Sequence, residues 1–106
     1  MGLVLGLDVS TTATKAVLVD GDGVVRGIGQ SAYGLSTPKP LWSEQDPADW
    51  WSGAAAAIRT VLAETGARAD EVEGIGLAGQ MHGAVLLDAS DEVLRPAILW
   101  NDQRTA

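Results

Sequence analysis

Gly6-Leu7-Asp8-Val9-Ser10-Thr11-Thr12-Ala13-Thr14-Lys15 places a carboxylate at the end of an apolar run and follows it at once with three hydroxyls. Leu3, Val4, Leu5 and Leu7 read as a short buried strand and Val17, Leu18 and Val19 as a second, so the polar residues between them form the tip of a β-hairpin. Such a tip can face phosphate. Ser10, Thr11 and Thr12 offer hydroxyls and backbone N–H groups to phosphate oxygens, and Asp8 can hold a Mg²⁺, directly or through water, that neutralises them. The same residues also suit a solvated turn in which Asp8 hydrogen-bonds its own backbone.

Beyond the hairpin, Asp20-Gly21-Asp22-Gly23 is a strong turn signal, and Val24 to Ala32 reads as a third antiparallel strand. Tyr33 to Gln45, with Pro38 and Pro40, reads as a loop to another layer. Asp46 is an N-cap and Pro47 the first residue of a helix running to about Thr65, with Gly66 as its C-terminal cap. Trp50, Ala54, Ile58, Val61 and Leu62 share one face of that helix, which is expected to cover a sheet. Gly74 to Gly79 reads as a glycine-laced fourth strand, interrupted at once by Gln80-Met81-His82-Gly83. Ala84 to Leu87 and Val93 to Leu99 read as the arms of a further hairpin around Asp88 to Glu92. Asn101 or Asp102 then looks like the N-cap of a helix that does not follow. Such an ending is expected of a fragment rather than a finished protein.

The 106 residues are 46% hydrophobic, enough for one small core or a piece of a larger domain. A net charge of −7 without a basic stripe argues against nucleic acid or an anionic membrane as partner. There is no cysteine and a single histidine, His82, so thiolate and histidine-rich metal sites are excluded. The N-terminus lacks a basic leader and no segment has the length of a membrane span, which points to a soluble, cytoplasmic protein.

Three antiparallel strands, a crossover helix and a parallel fourth strand are the front half of a ribonuclease H-like α/β domain, the architecture shared by actin, the heat-shock chaperones and the sugar kinases. Residues 6–15 resemble the first phosphate loop of the FGGY carbohydrate kinases. Leu41 to Pro47, Gly79-Gln80-Met81-His82-Gly83 and Arg95 to Asp102 resemble the xylulokinase branch of that family in particular. Glycerol kinases carry an Arg-Glu pair where Met81 and His82 stand here. One departure is Ser10, where many relatives have glycine; it costs backbone freedom but keeps a hydroxyl.

The resemblance implies that residues 1–106 are the N-terminal part of the first kinase domain of an enzyme that uses ATP and Mg²⁺ to convert D-xylulose to D-xylulose 5-phosphate in xylose catabolism. It makes Asp8 the catalytic carboxylate near the metal, assigns Ser10, Thr11, Thr12 and Lys15 to the ATP phosphates, and puts Met81 and His82 in a sugar pocket spanning about residues 79–83. The family's catalytic base, a different aspartate, and its adenine pocket lie in later segments, so these residues alone are expected to be inactive. The resemblance leaves room for a homodimer of the full-length enzyme. The competing readings are an FGGY kinase for ribulose, gluconate or glycerol, and a non-catalytic ATP-binding domain of the actin or chaperone kind. Trp42, Trp50, Trp51 and Trp100 read as structural aromatics, with Trp42 also able to border the sugar site.

Overall fold

In the computed structural model, which describes residues 2–105, strands β1 (Leu3–Val9) and β2 (Ala13–Val19) form the expected antiparallel hairpin, with Asp8 directly opposite Lys15. β3 (Val25–Ala32) continues it, after a turn in which the Asp20 carboxylate accepts from the amides of Asp22 and Val24. The expected loop from Tyr33 ends in a two-residue strand, β4 (Glu44–Gln45). Helix α1 (Pro47–Thr65) follows, and β5 (Val72–Gly79) then returns parallel to β1, giving the sheet order β3-β2-β1-β5. β5 is thus the fourth strand that the sequence predicts.

The helix boundaries follow from local chemistry. The Asp46 carboxylate accepts from the amide of Ala48 at 3.0 Å, and Pro47 sits where no amide partner is needed. At the other end Gly66 takes a left-handed φ of 72° and donates its N–H to the carbonyl of Leu62.

The buried stripe of α1 differs from the predicted one. Gly53, Ala57 and Val61 are its fully covered residues, whereas Trp50, Ala54, Ile58 and Leu62 are only half-buried. The cause lies across the interface, where Gly27 and Gly29 of β3 have no side chains and let the helix backbone settle directly on the strand. Trp50 and Ile58 are turned towards the β1–β5 side, where Ile75 and Leu77 remain exposed. Leu5, Ala16, Leu18, Ala57 and Val61 form the core. On the opposite face of the sheet, Val4 and Ile28 are about half exposed.

The predicted second hairpin is present but interrupted: its arms pair at Leu87 with Val93 beside the turn and again at Ala84 with Ile98. Asp88 closes its turn by accepting from the amides of Ser90 and Glu92, and the Leu94 amide donates to the Leu86 carbonyl at 2.9 Å across the arms. The far end of the second arm pairs on both sides: β6 (Ala97–Ile98) is antiparallel to β4, and its Ile98 also pairs with Ala84 of the first arm. Pro96 has no N–H to contribute to a continuous ladder, and burial of Ala97 and Leu99 carries the strand over to β4. Among the described residues, no helix is long and apolar enough to cross a membrane.

Candidate functional site

The β1–β2 turn, closed by a Ser10 amide donating to the Ala13 carbonyl at 2.9 Å, forms one wall of an open cleft of about 350 Å³. Asp8, Ser10 and Thr11 line it from the turn, Gly79, Gln80 and Met81 from the end of β5, and Trp100 from the C-terminal segment. The parallel pairing of β1 with β5 brings these pieces together, since it sets Asp8 beside Ala78 and Val9 beside Gly79. The ends of parallel strands are a common place for ligands in α/β folds.

Four of the residues singled out in the sequence therefore share one cleft: Asp8, Ser10, Thr11 and Met81. Thr12 and Lys15 lie outside it. Thr12 is exposed, and its carbonyl accepts from the amide of Tyr33; Lys15 is exposed on the sheet face opposite α1, across from Asp8. His82 also departs from the expectation of one shared pocket with Met81. It lines a neighbouring cleft of about 440 Å³ with Trp50, Leu77 and Val85, and Gly79 and Gln80 form the wall common to both. His82 has a left-handed φ of 61°, rare for a residue with a side chain, at the point where the chain passes from one cleft to the other.

Behind the turn lies a buried polar network. The Tyr33 hydroxyl donates to the Ser10 carbonyl and meets the hydroxyl of Thr14 at 3.2 Å. Burial pushes the Tyr33 phenol above its ordinary pKa; the Thr14 hydrogen bond opposes that shift and the nearby Asp8 charge adds to it. Gln45 is buried and joined to Thr11, Gly34, Trp50 and Gln80. At the surface of the cleft, outside this buried network, the exposed Trp100 donates its indole N–H to the Thr11 hydroxyl oxygen at 3.0 Å. The sequence reading missed Gln45 and made Trp100 merely structural. The only local signal was that each falls inside a stretch with family resemblance.

Asp102 makes the contact of an N-cap, its carboxylate accepting from the amide of Arg104 at 3.0 Å, and it does not line the cleft. Its carboxylate accepts from the Ser43 amide at 2.7 Å and from the Arg104 guanidinium, which also pairs with Glu44; Glu44 in turn pairs with Arg95. Trp42 is stacked under the Arg104 guanidinium, 3.7 Å from the ring centre, and so is structural. The Arg104 hydrogen bonds hold the Asp102 carboxyl well below the usual carboxylate range. This carboxylate thus contributes stability above about pH 4, the range where it ionises in the unfolded chain, and that contribution is lost as pH falls through the lower folded value. Asp102→Asn is expected to flatten the acid limb of stability, as read by urea midpoints between about pH 7 and about pH 3. Parallel acid limbs for the two proteins would contradict this.

Among the described residues, no three of His, Asp and Glu come together as a metal cage. A lone Asp8 beside hydroxyl oxygens instead suits a Mg²⁺ whose other ligands are phosphate oxygens and water.

Residues 3–106 match the family model described as the FGGY family of carbohydrate kinases, N-terminal domain. The chain is 48% identical over 102 residues to a xylulose kinase of Klebsiella pneumoniae, covering 96% of this chain and 21% of that protein. It is 31% identical over 106 residues to a glycerol kinase of Rhizobium meliloti, covering 99% and 21%. Among solved structures, that of a xyloylose kinase from Brucella ovis superposes with a TM-score of 0.92 at 48% identity, over 96% of this chain and 22% of that one. The chain thus spans about a fifth of the length of the curated relatives it matches. The expected ribonuclease H-like arrangement of three antiparallel strands, a crossover helix and a parallel fourth strand is the one observed and the one this neighbour shares. On the match across residues 3–106 and on this shared fold, the chain belongs to the FGGY family of carbohydrate kinases.

Proposed function

We propose that the full-length protein transfers the γ-phosphoryl group of ATP to D-xylulose, with Mg²⁺, giving D-xylulose 5-phosphate and ADP in the cytoplasmic breakdown of xylose. The observation that carries this reading is the meeting of Asp8, Ser10 and Thr11 with Met81 in one cleft. Phosphoryl transfer asks a protein mainly for positioning and charge neutralisation, and a carboxylate for the metal beside hydroxyl donors for phosphate oxygens supplies both. Asp8 is assigned to the metal and Ser10 and Thr11 to the transferred group. Thr12 and Lys15, outside the cleft, are assigned to phosphates further along the nucleotide. Met81 is an adaptable apolar wall for the sugar, and His82 can both donate to and accept from its hydroxyls from the adjoining cleft.

Xylulose is favoured over glycerol by 48% identity to a xylulose kinase against 31% to a glycerol kinase. The test is an ADP-release assay on the full-length protein with D-xylulose, D-ribulose, D-gluconate and glycerol. The highest kcat/KM is expected with D-xylulose; a clear preference for another acceptor would replace the substrate, and ATP turnover independent of any sugar would replace the class.

His82 offers a finer check. Its replacement by Ala leaves sugar hydroxyls without a partner and is expected to cost about tenfold in kcat/KM for D-xylulose while changing sugar-independent ATP hydrolysis much less. Equal losses in both would make His82 a structural residue.

A further inference from the structure

We infer that Gln45 and Trp100 are positioning residues that hold Thr11 with its hydroxyl hydrogen directed into the cleft, an inference that rests on the proposed reading of that cleft as the phosphoryl-transfer site. Gln45 is 2% exposed, and both ends of its amide are fully engaged. Its Nε2 donates to the carbonyls of Thr11 at 2.7 Å and Gly34 at 2.8 Å. Its Oε1 accepts from the Trp50 indole N–H at 2.7 Å and from Nε2 of Gln80 at 3.2 Å. Carbonyls only accept and an indole N–H only donates, so turning this amide over would set like against like at three of its four partners. The backbone of Thr11 is thereby tied to helix α1 through Trp50.

The side chain of Thr11 is fixed from the other side. The Trp100 indole is a donor only, so at 3.0 Å the Thr11 oxygen must be the acceptor, and its own hydrogen is left for a third group. Thr11 and Trp100 both line the cleft that holds Asp8. An ionised phosphate oxygen can only accept, so a hydroxyl that uses one of its two lone pairs to accept from Trp100 keeps its hydrogen as a donor for it. The same Gln45 amide sets Gln80, whose Nε2 is used as donor; its Oε1 remains buried without a partner at the wall shared by the two clefts. One buried amide therefore joins the turn that faces phosphate to the segment that carries Met81 and His82.

The test is a double-mutant cycle in the full-length protein. Measured by kcat at saturating Mg-ATP and D-xylulose, Thr11→Val is expected to cost about 30-fold and Trp100→Phe about tenfold, the scale of a single well-placed donor and its support. If Trp100 acts through Thr11, adding Trp100→Phe to Thr11→Val should cost less than about twofold more. Gln45→Met should likewise cost less in the Thr11→Val background than alone. Fully additive losses would overturn the inference and leave the proposed function standing. The Trp100 indole N–H resonance provides a readout that needs no turnover. It should move on Thr11→Val, and an unmoved resonance would remove the hydrogen bond itself. Should the unmutated protein fail to phosphorylate D-xylulose, the proposed function falls and the resonance alone decides the geometry.

Discussion

Asp8→Asn in the full-length protein is expected to lower kcat for D-xylulose phosphorylation by a factor of about one hundred or more, the scale of losing one well-placed electrostatic stabiliser. The substitution keeps shape and removes charge. Asp8 lies at the end of β1, exposed in the cleft beside Ser10 and Thr11, so no core contact is lost and the melting temperature should hold. Its charge reaches the surrounding structure, since it helps to raise the pKa of Tyr33. Steady-state kinetics together with a thermal melt check both halves. Near-normal turnover in a folded variant would take Asp8 out of the reaction.

Gly29→Ala is expected to cost about 3 kcal/mol of folding stability, at the upper end for overpacking. A methyl group there would collide with the Ala57 carbonyl oxygen and lie 2.9 Å from the Val61 amide nitrogen. Both obstacles are backbone, which cannot rotate aside as a side chain can, so α1 would have to lift from β3. That lift would loosen Gly53, Ala57 and Val61 together. Urea unfolding measures the effect directly, and an unchanged midpoint would mean that the helix is not seated as described. Gly6, with nothing within 4 Å of an added methyl, is the matched control.

The glycines of β3 also mark the boundary of what the sequence could tell. The ends of α1 were legible because Asp46, Pro47 and Gly66 act on backbone groups within a few residues of themselves. The buried stripe was not, because periodicity ranks large side chains and this interface is built from small ones facing bare strand. In the same way Asp8, Ser10 and Thr11 were legible as a hydroxyl-rich turn after a carboxylate. Gln45 and Trp100 were not, for they reach Thr11 across 34 and 89 residues of chain. A glutamine just before a helix cap reads as a loop residue until its amide partners are known. The separation of Met81 from His82 turns on a single left-handed backbone angle, which composition does not signal.

The most direct test of the account is a crystal structure of the full-length protein with Mg²⁺, a non-hydrolysable ATP analogue and D-xylulose. The terminal phosphate is expected within hydrogen-bonding distance of Ser10 and the Thr11 hydroxyl, the metal on the Asp8 side of it, and the sugar between Met81 and the His82 cleft. A nucleotide and sugar bound elsewhere, with Asp8 and Thr11 facing only solvent, would contradict it.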